Sequence, residues 1–130
     1  MTALPTDRLY SEEHEWVNST DINAGDTVRV GITHIAADAL GEIVFAELPE
    51  VGTEIEAGEP FGEVESTKSV SDIYAPVSGE ITAVNEEIAD NAGIINEDPY
   101  EAGWLYEVTV TVAPAADDLM DHEAYAADNV

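Results

Sequence analysis

Lys68 is the only lysine in the chain. It sits in Gly62-Glu63-Val64-Glu65-Ser66-Thr67-Lys68-Ser69-Val70-Ser71-Asp72-Ile73, two β-type runs that meet at the lysine. The pattern reads as strand, tight turn, strand, and a type I turn over Thr67 and Lys68 needs no glycine. A primary amine on a flexible four-carbon stem projects well clear of the backbone at such a tip. It is a nucleophile that an acylating enzyme can reach, and acylation would turn the stem into a carrier arm. The alternative on local pattern is a surface lysine paired with Glu63, Glu65 or Asp72. Exposed pairs of that kind contribute about 0–1 kcal/mol, a weak reason for a sequence to keep one lysine.

The other chemistry-bearing residues give no comparable signal. His14, His34 and His122 are far apart in sequence, and His14-Glu15 has no second histidine four residues after the first, so the zinc-protease helix motif is missing. Surface and packing roles fit these histidines. Acidic pairs such as Glu12-Glu13, Glu86-Glu87 and Asp117-Asp118 carry little information against a background of 29 acids. No phosphate-cradling glycine loop precedes Lys68, and no Gly-x-Ser-x-Gly elbow occurs. Cysteine is absent, which excludes disulfides, thiolate metal sites and cysteine nucleophiles. Any thiol chemistry must come from a bound cofactor. Trp16 and Trp104 read as core or rim packing.

The 29 acids face three bases, Arg8, Arg29 and Lys68, for a formal net charge of −26. With 45% hydrophobic residues the chain can still bury a core, so the charge reads as adaptation to a salt-rich cytoplasm rather than as disorder. Nucleic acid and anionic membranes would be repelled. The first eight residues hold no apolar h-region, and no run approaches the ~18 apolar residues of a membrane span. A cytoplasmic protein is the expectation.

The 130 residues suit one domain, with a core over about 10–112 and a helical tail over 113–130. Residues 10–17 form an aromatic-flanked acidic turn. Strands are expected over 27–32, 42–48, 80–84 and 105–112, with another entering the lysine turn after Glu59-Pro60. Thr33 caps a short helix through Leu40, with Ile35, Ala36, Ala39 and Leu40 on one face and Gly41 as the stop. Asp98-Pro99 reads as an N-cap followed by proline at the first helical position, with Gly103 closing the turn. A terminal helix over 117–127 aligns Met120, Ala124 and Ala127. Gly41-Glu42-Ile43 and Gly79-Glu80-Ile81 repeat one another, a spacing that sets Lys68 opposite Val30. Two β half-units about a pseudo-twofold would give a mainly β flattened barrel or a sandwich of two antiparallel sheets, with short helices.

Several motifs in order resemble the glycine cleavage H-protein family, the lipoyl carriers of that system. They are His14-Glu15-Trp16-Val17, Val30-Gly31-Ile32-Thr33, the run from Leu40 to Gly52, Val64-Glu65-Ser66-Thr67-Lys68, Ala75-Pro76-Val77-Ser78-Gly79-Glu80, and Asn96-Glu97-Asp98-Pro99-Tyr100 with Gly103-Trp104. Thr67 stands where the family usually has valine, Ser69 where it has alanine, and Ala92-Gly93 where a proline is common. Lipoyl domains of 2-oxoacid dehydrogenases usually place Asp before the lysine, and biotin carriers place Met on both sides. Thr67 and Ser69 fit neither.

The resemblance implies a lipoyl/biotinyl-carrier-like fold and a non-catalytic carrier with lipoate in amide linkage to Lys68. It implies that glycine decarboxylase passes the aminomethyl group of glycine to the arm. Aminomethyltransferase would then remove it, and dihydrolipoyl dehydrogenase would reoxidise the dithiol. A lipoate ligase or lipoyl transferase would load Lys68, with Glu65 as its recognition group. Glu15 and Asp72 are the candidates for holding the arm's cationic amine. The chain would act as a monomer. The other carrier reading is a relay that donates lipoate to other enzymes or serves another lipoyl-dependent pathway. Outside carriers, a non-acylated interaction domain remains.

Overall fold

In the computed structural model, residues 4–114 and 119–129 are described. The elements run β1 (Leu9–Tyr10), β2 (Glu15–Val17), β3 (Thr27–Ile32), α1 (His34–Leu40), β4 (Ile43–Glu47), β5 (Glu54–Ile55) and β6 (Pro60–Ser66). They continue with β7 (Val70–Tyr74), β8 (Ser78–Val84), α2 (Glu87–Asp90), α3 (Ile94–Glu97), β9 (Tyr106–Val112) and α4 (His122–Asn129). The strands form two antiparallel sheets, ordered β1-β2-β3-β9-β8-β5 and β4-β6-β7. Of the two architectures open to the sequence, the two-sheet form is the one found; no closed barrel occurs among the described residues. The repeated Gly-Glu-Ile segments enter different sheets, with Ile43 and Ile81 both buried.

Period-two alternation explains the centre of the larger sheet. Val28, Val30 and Ile32 on β3 and Tyr106, Val108 and Val110 on β9 are buried, and the register pairs Val28 with Val108 and Val30 with Tyr106. In the smaller sheet Ile43, Val64 and Ile73 turn inward to the same core. Its other face holds Phe45, Glu63, Glu65, Val70 and Asp72, all exposed. A second cluster, Tyr10, Trp16, Tyr100 and Tyr125, closes the end of the larger sheet. There Arg8 lies 4.4 Å from the centroid of the Trp16 ring and donates to the Tyr100 carbonyl at 2.7 Å. Trp16 is core, donating to the Pro99 carbonyl at 3.0 Å, while Trp104 is half-buried beneath Arg29.

Three helical expectations need correction. The buried residue of α1 is Ala37, and Ala39 is exposed; Ala36 and Leu40 pack partly buried against the main core and Ile35 against the second cluster. Asp98 does not begin a helix. It ends α3, and its carboxylate accepts from Ala102 N–H while Gly103 N–H closes back onto the Asp98 carbonyl. Pro99 therefore sits in a turn, where its missing N–H costs nothing. The terminal helix starts at His122, and its buried residue is Tyr125; Ala124 and Ala127 are exposed. Met120 instead forms a β-bridge with Tyr10. Asp117 and Asp118, placed by the sequence in that helix, lie outside the described residues. The acidic turn over 10–17 is a hairpin loop, with Tyr10 paired to Trp16.

Candidate functional site

The β6–β7 hairpin turns over Thr67 and Lys68, with Ser66 N–H donating to the Ser69 carbonyl at 2.8 Å. Neither turn residue has a positive φ, as a type I turn requires. Ser66 is buried, and its hydroxyl oxygen accepts from the N–H groups of Lys68 and Ser69, each at 3.1 Å. That is the local side-chain mimic of a turn that serine offers. Thr67 N–H donates to the Glu42 carbonyl at 3.0 Å, tying the tip to the start of β4. Behind it, Asn96 accepts from Ile43 N–H and donates to the Gly41 carbonyl, both at 2.8 Å. The lysine thus stands on a turn fixed from three elements.

Gly41 does two things here. Its φ of 88° ends α1 in a conformation that favours glycine, and a Cβ at that position would lie 2.7 Å from Lys68 Cε. The bare backbone lets the lysine stem lie across it. Lys68 is exposed, and none of the ion pairs among the described residues involves it. The arginines differ: Arg29 is bonded to Glu107 at 2.9 and 3.1 Å, and Arg8 is buried. The surface-pair alternative for Lys68 therefore has no partner in Glu63, Glu65 or Asp72.

Glu65 lies on β6 in a cross-strand row, opposite Phe45 on β4 and Val70 on β7. Phe45 is 54% and Val70 57% exposed, so an acid flanked by two apolar groups borders the lysine turn. Glu15 lies elsewhere, whereas Asp72 pairs with Glu63 on the same exposed face as Glu65. Glu15 and Asp72 line one cavity of about 170 Å³, together with Ile32, Leu40, Val64 and Ile73. Lys68 and Glu65 are not in that lining, but Leu40 adjoins the glycine beneath the lysine stem.

Glu15 is 2% exposed. Its carboxyl accepts from Ser11 Oγ at 2.8 Å and from Tyr74 N–H at 3.5 Å. Burial dominates over these bonds and pushes its pKa up to about 8, so at neutral pH the carboxyl is mostly protonated. The sequence nominates Lys68, Glu65, Glu15 and Asp72 but does not single out Ser66, Asn96 or the neighbours of Glu15. Serine two residues before the lysine is the available signal for the first. Asn96 gives none, since its partners are 53 and 55 residues away.

A lone exposed lysine on a braced hairpin is what the comparisons with known proteins bear on. The profile of the family described as "Glycine cleavage H-protein" matches residues 8–129. The chain belongs to this family. It is 74% identical over 129 residues to the glycine cleavage system H protein of Corynebacterium jeikeium, covering 99% of both chains. To that of Micrococcus luteus it is 55% identical over 126 residues, 97% of each. The crystal structure of a glycine cleavage system H protein from Mycobacterium marinum superposes with a TM-score of 0.90 at 47% identity, over 97% of this chain and 98% of that one. Proteins of the family carry lipoate on a lysine. No helix among the described residues is long and apolar enough to cross a membrane.

Proposed function

We propose that the chain is a single-domain lipoyl carrier of the glycine cleavage system, with lipoate in amide linkage to Lys68. The observation that carries this is the lone lysine itself: exposed, without an ion pair among the described residues, on a turn anchored by Ser66, Glu42 and Asn96. The bound lipoyl group would supply a dithiol/disulfide that the cysteine-free chain lacks. The chain supplies the rest and has no turnover of its own.

The cavity suits a chain that is aliphatic along its length and cationic at its loaded tip. Ile32, Leu40, Val64 and Ile73 give it apolar walls, and Glu15 gives it a buried acid, with the exposed Asp72 also in the lining. An ammonium set against Glu15 favours the ionised carboxylate and draws its pKa back down. Seating the tip there keeps water from the labile aminomethyl cargo. Glu65, between Phe45 and Val70, is the recognition group for the lipoate ligase or lipoyl transferase. The protein works as a cytoplasmic monomer with glycine decarboxylase, aminomethyltransferase and dihydrolipoyl dehydrogenase in turn.

The test is exchange of labelled bicarbonate into the carboxyl carbon of glycine with the cognate decarboxylase. Tethering keeps the disulfide at a local concentration that free lipoate does not match. Lys68→Arg keeps the charge and the turn but forms no lipoyl amide, so exchange should disappear. Exchange by Lys68→Arg at the wild-type rate would end the carrier reading. Failure of the lipoylated wild type would end the glycine assignment alone.

A further inference from the structure

His14 is the only non-glycine residue with a positive φ among the described residues, at 69°. It closes the loop between β1 and β2. Tyr10 pairs with Trp16, Ser11 N–H donates to the Glu15 carbonyl at 2.9 Å, and His14 N–H donates to the Ser11 carbonyl at 3.1 Å. This is a three-residue hairpin loop, Glu12-Glu13-His14, whose last position takes the left-handed conformation and ordinarily takes glycine. A histidine there is strained, and strain persists where surrounding contacts hold it.

The contact is on α4. His14 Nδ1 lies 2.7 Å from the Tyr125 hydroxyl oxygen, and Thr33 Oγ1 lies 2.8 Å from the same oxygen. Tyr125 is fully buried, stacked on Tyr10 with ring centroids 5.0 Å apart. His14 also lines the cavity beside Glu13 and Glu15. Thr33 is the N-cap of α1, which supplies Ala36, Ala39 and Leu40 to the same lining, and its N–H donates to the His14 carbonyl at 2.9 Å. One phenol oxygen therefore joins the terminal helix to the junction of the β1–β2 loop and α1.

We propose that α4 is a latch for the arm cavity. Tyr125 is a positioning residue that acts through His14 and Thr33. It fixes the side chains of His14 and Thr33 where the β1–β2 loop meets the start of α1, the wall beside which a loaded arm seats near Glu15. The inference rests on the reading that the arm docks in this cavity. It explains why the loop keeps an imidazole in a slot that suits glycine, and it gives the C-terminal helix a task beyond covering Tyr10.

Three variants test it: Tyr125→Phe, which keeps the ring stack, His14→Gly, which relieves the backbone, and Glu15→Gln, which alters the cavity acid directly. In the unlipoylated chain, amide exchange by NMR should speed up across α4 in both Tyr125→Phe and His14→Gly, with β3 and β9 unchanged. In the lipoylated, aminomethyl-loaded protein without aminomethyltransferase, hydrolytic loss of the cargo is followed as formaldehyde. Each event consumes one water and leaves dithiol, formaldehyde and ammonium. Loss should rise about tenfold in both latch variants, the effect of one ordinary hydrogen bond, and the double variant should be no faster than either single one. His14→Gly should do so with an unchanged or raised thermal midpoint, whereas a merely structural histidine predicts better folding and unchanged retention. Retention at the wild-type rate in both latch variants, with fast loss in Glu15→Gln, overturns the latch alone. Retention in Glu15→Gln as well overturns cavity docking and the latch with it.

Discussion

Lys68 stands in the open on a turn whose bonds run through backbone groups and one serine hydroxyl, whereas Glu15 is buried and held by Ser11 of its own hairpin and by Tyr74 of β7. On the proposed function the lysine has to be reached by an enzyme, and its surroundings fix the backbone and leave the amine without an ion pair among the described residues. On the same reading the glutamate's pocket has to exclude water, and its surroundings desolvate it and raise its pKa. The proposed attachment and reception are thus separated: the first sits on one hairpin tip tied to Glu42, and the second is assembled from β2, β3, α1, β6 and β7.

The largest effect expected away from Lys68 itself is that of salt on both regions together. Lowering salt from molar to 0.1 M lengthens the screening distance from about 3 Å to about 10 Å. With a net charge of −26, repulsion then acts on the whole acidic surface. The thermal midpoint should be clearly higher in 3 M than in 0.1 M potassium chloride. Equal midpoints would remove salt adaptation from the account.

The buried acid should betray itself by pH. A carboxyl whose folded pKa is raised stabilises the fold below its unfolded value of 4.5, and that contribution is lost as pH rises through the folded value near 8. Across that window the fold loses about 1.4 kcal/mol for every step of one in pH. Glu15→Gln should therefore gain stability over the wild type between pH 5 and 8 and show no further gain above that window. A difference independent of pH would mean that Glu15 is not desolvated as the structure has it.

Ser66→Ala strips two turn N–H groups of their acceptor. It should cost about 1–3 kcal/mol in urea unfolding and slow acylation of Lys68, while leaving the Glu15 titration where it was. If that titration moves too, the two regions are not separate. The smallest effect is that of Glu65→Ala, on the outer face, which should slow ligase-catalysed lipoylation with an unchanged circular dichroism spectrum. Unaltered kinetics would remove Glu65 from recognition.

What is legible in the sequence follows the same division. The lysine hairpin, β3, β4 and β9, the Thr33 cap and the Gly41 stop are local patterns, readable from alternation and capping chemistry. The six-stranded order, the two-residue strand β5 and the Asn96 clamp rest on pairings between residues far apart, which no window displays. The terminal helix shows the limit well. Its alanine spacing suggests a stripe, but one tyrosine with a stacked ring and two hydrogen-bond partners decides which face is buried. Glu15 stands out only through a family motif, while its raised pKa comes from burial, which outweighs the opposing hydrogen bonds from Ser11 and Tyr74.

The most direct measurement is mass spectrometry of the protein purified from its own host, read on the peptide spanning Glu65 to Asp72. The account predicts a lipoyl increment on Lys68, the only lysine available to carry it. An unmodified Lys68, in cells whose other lipoyl carriers are modified, would contradict it.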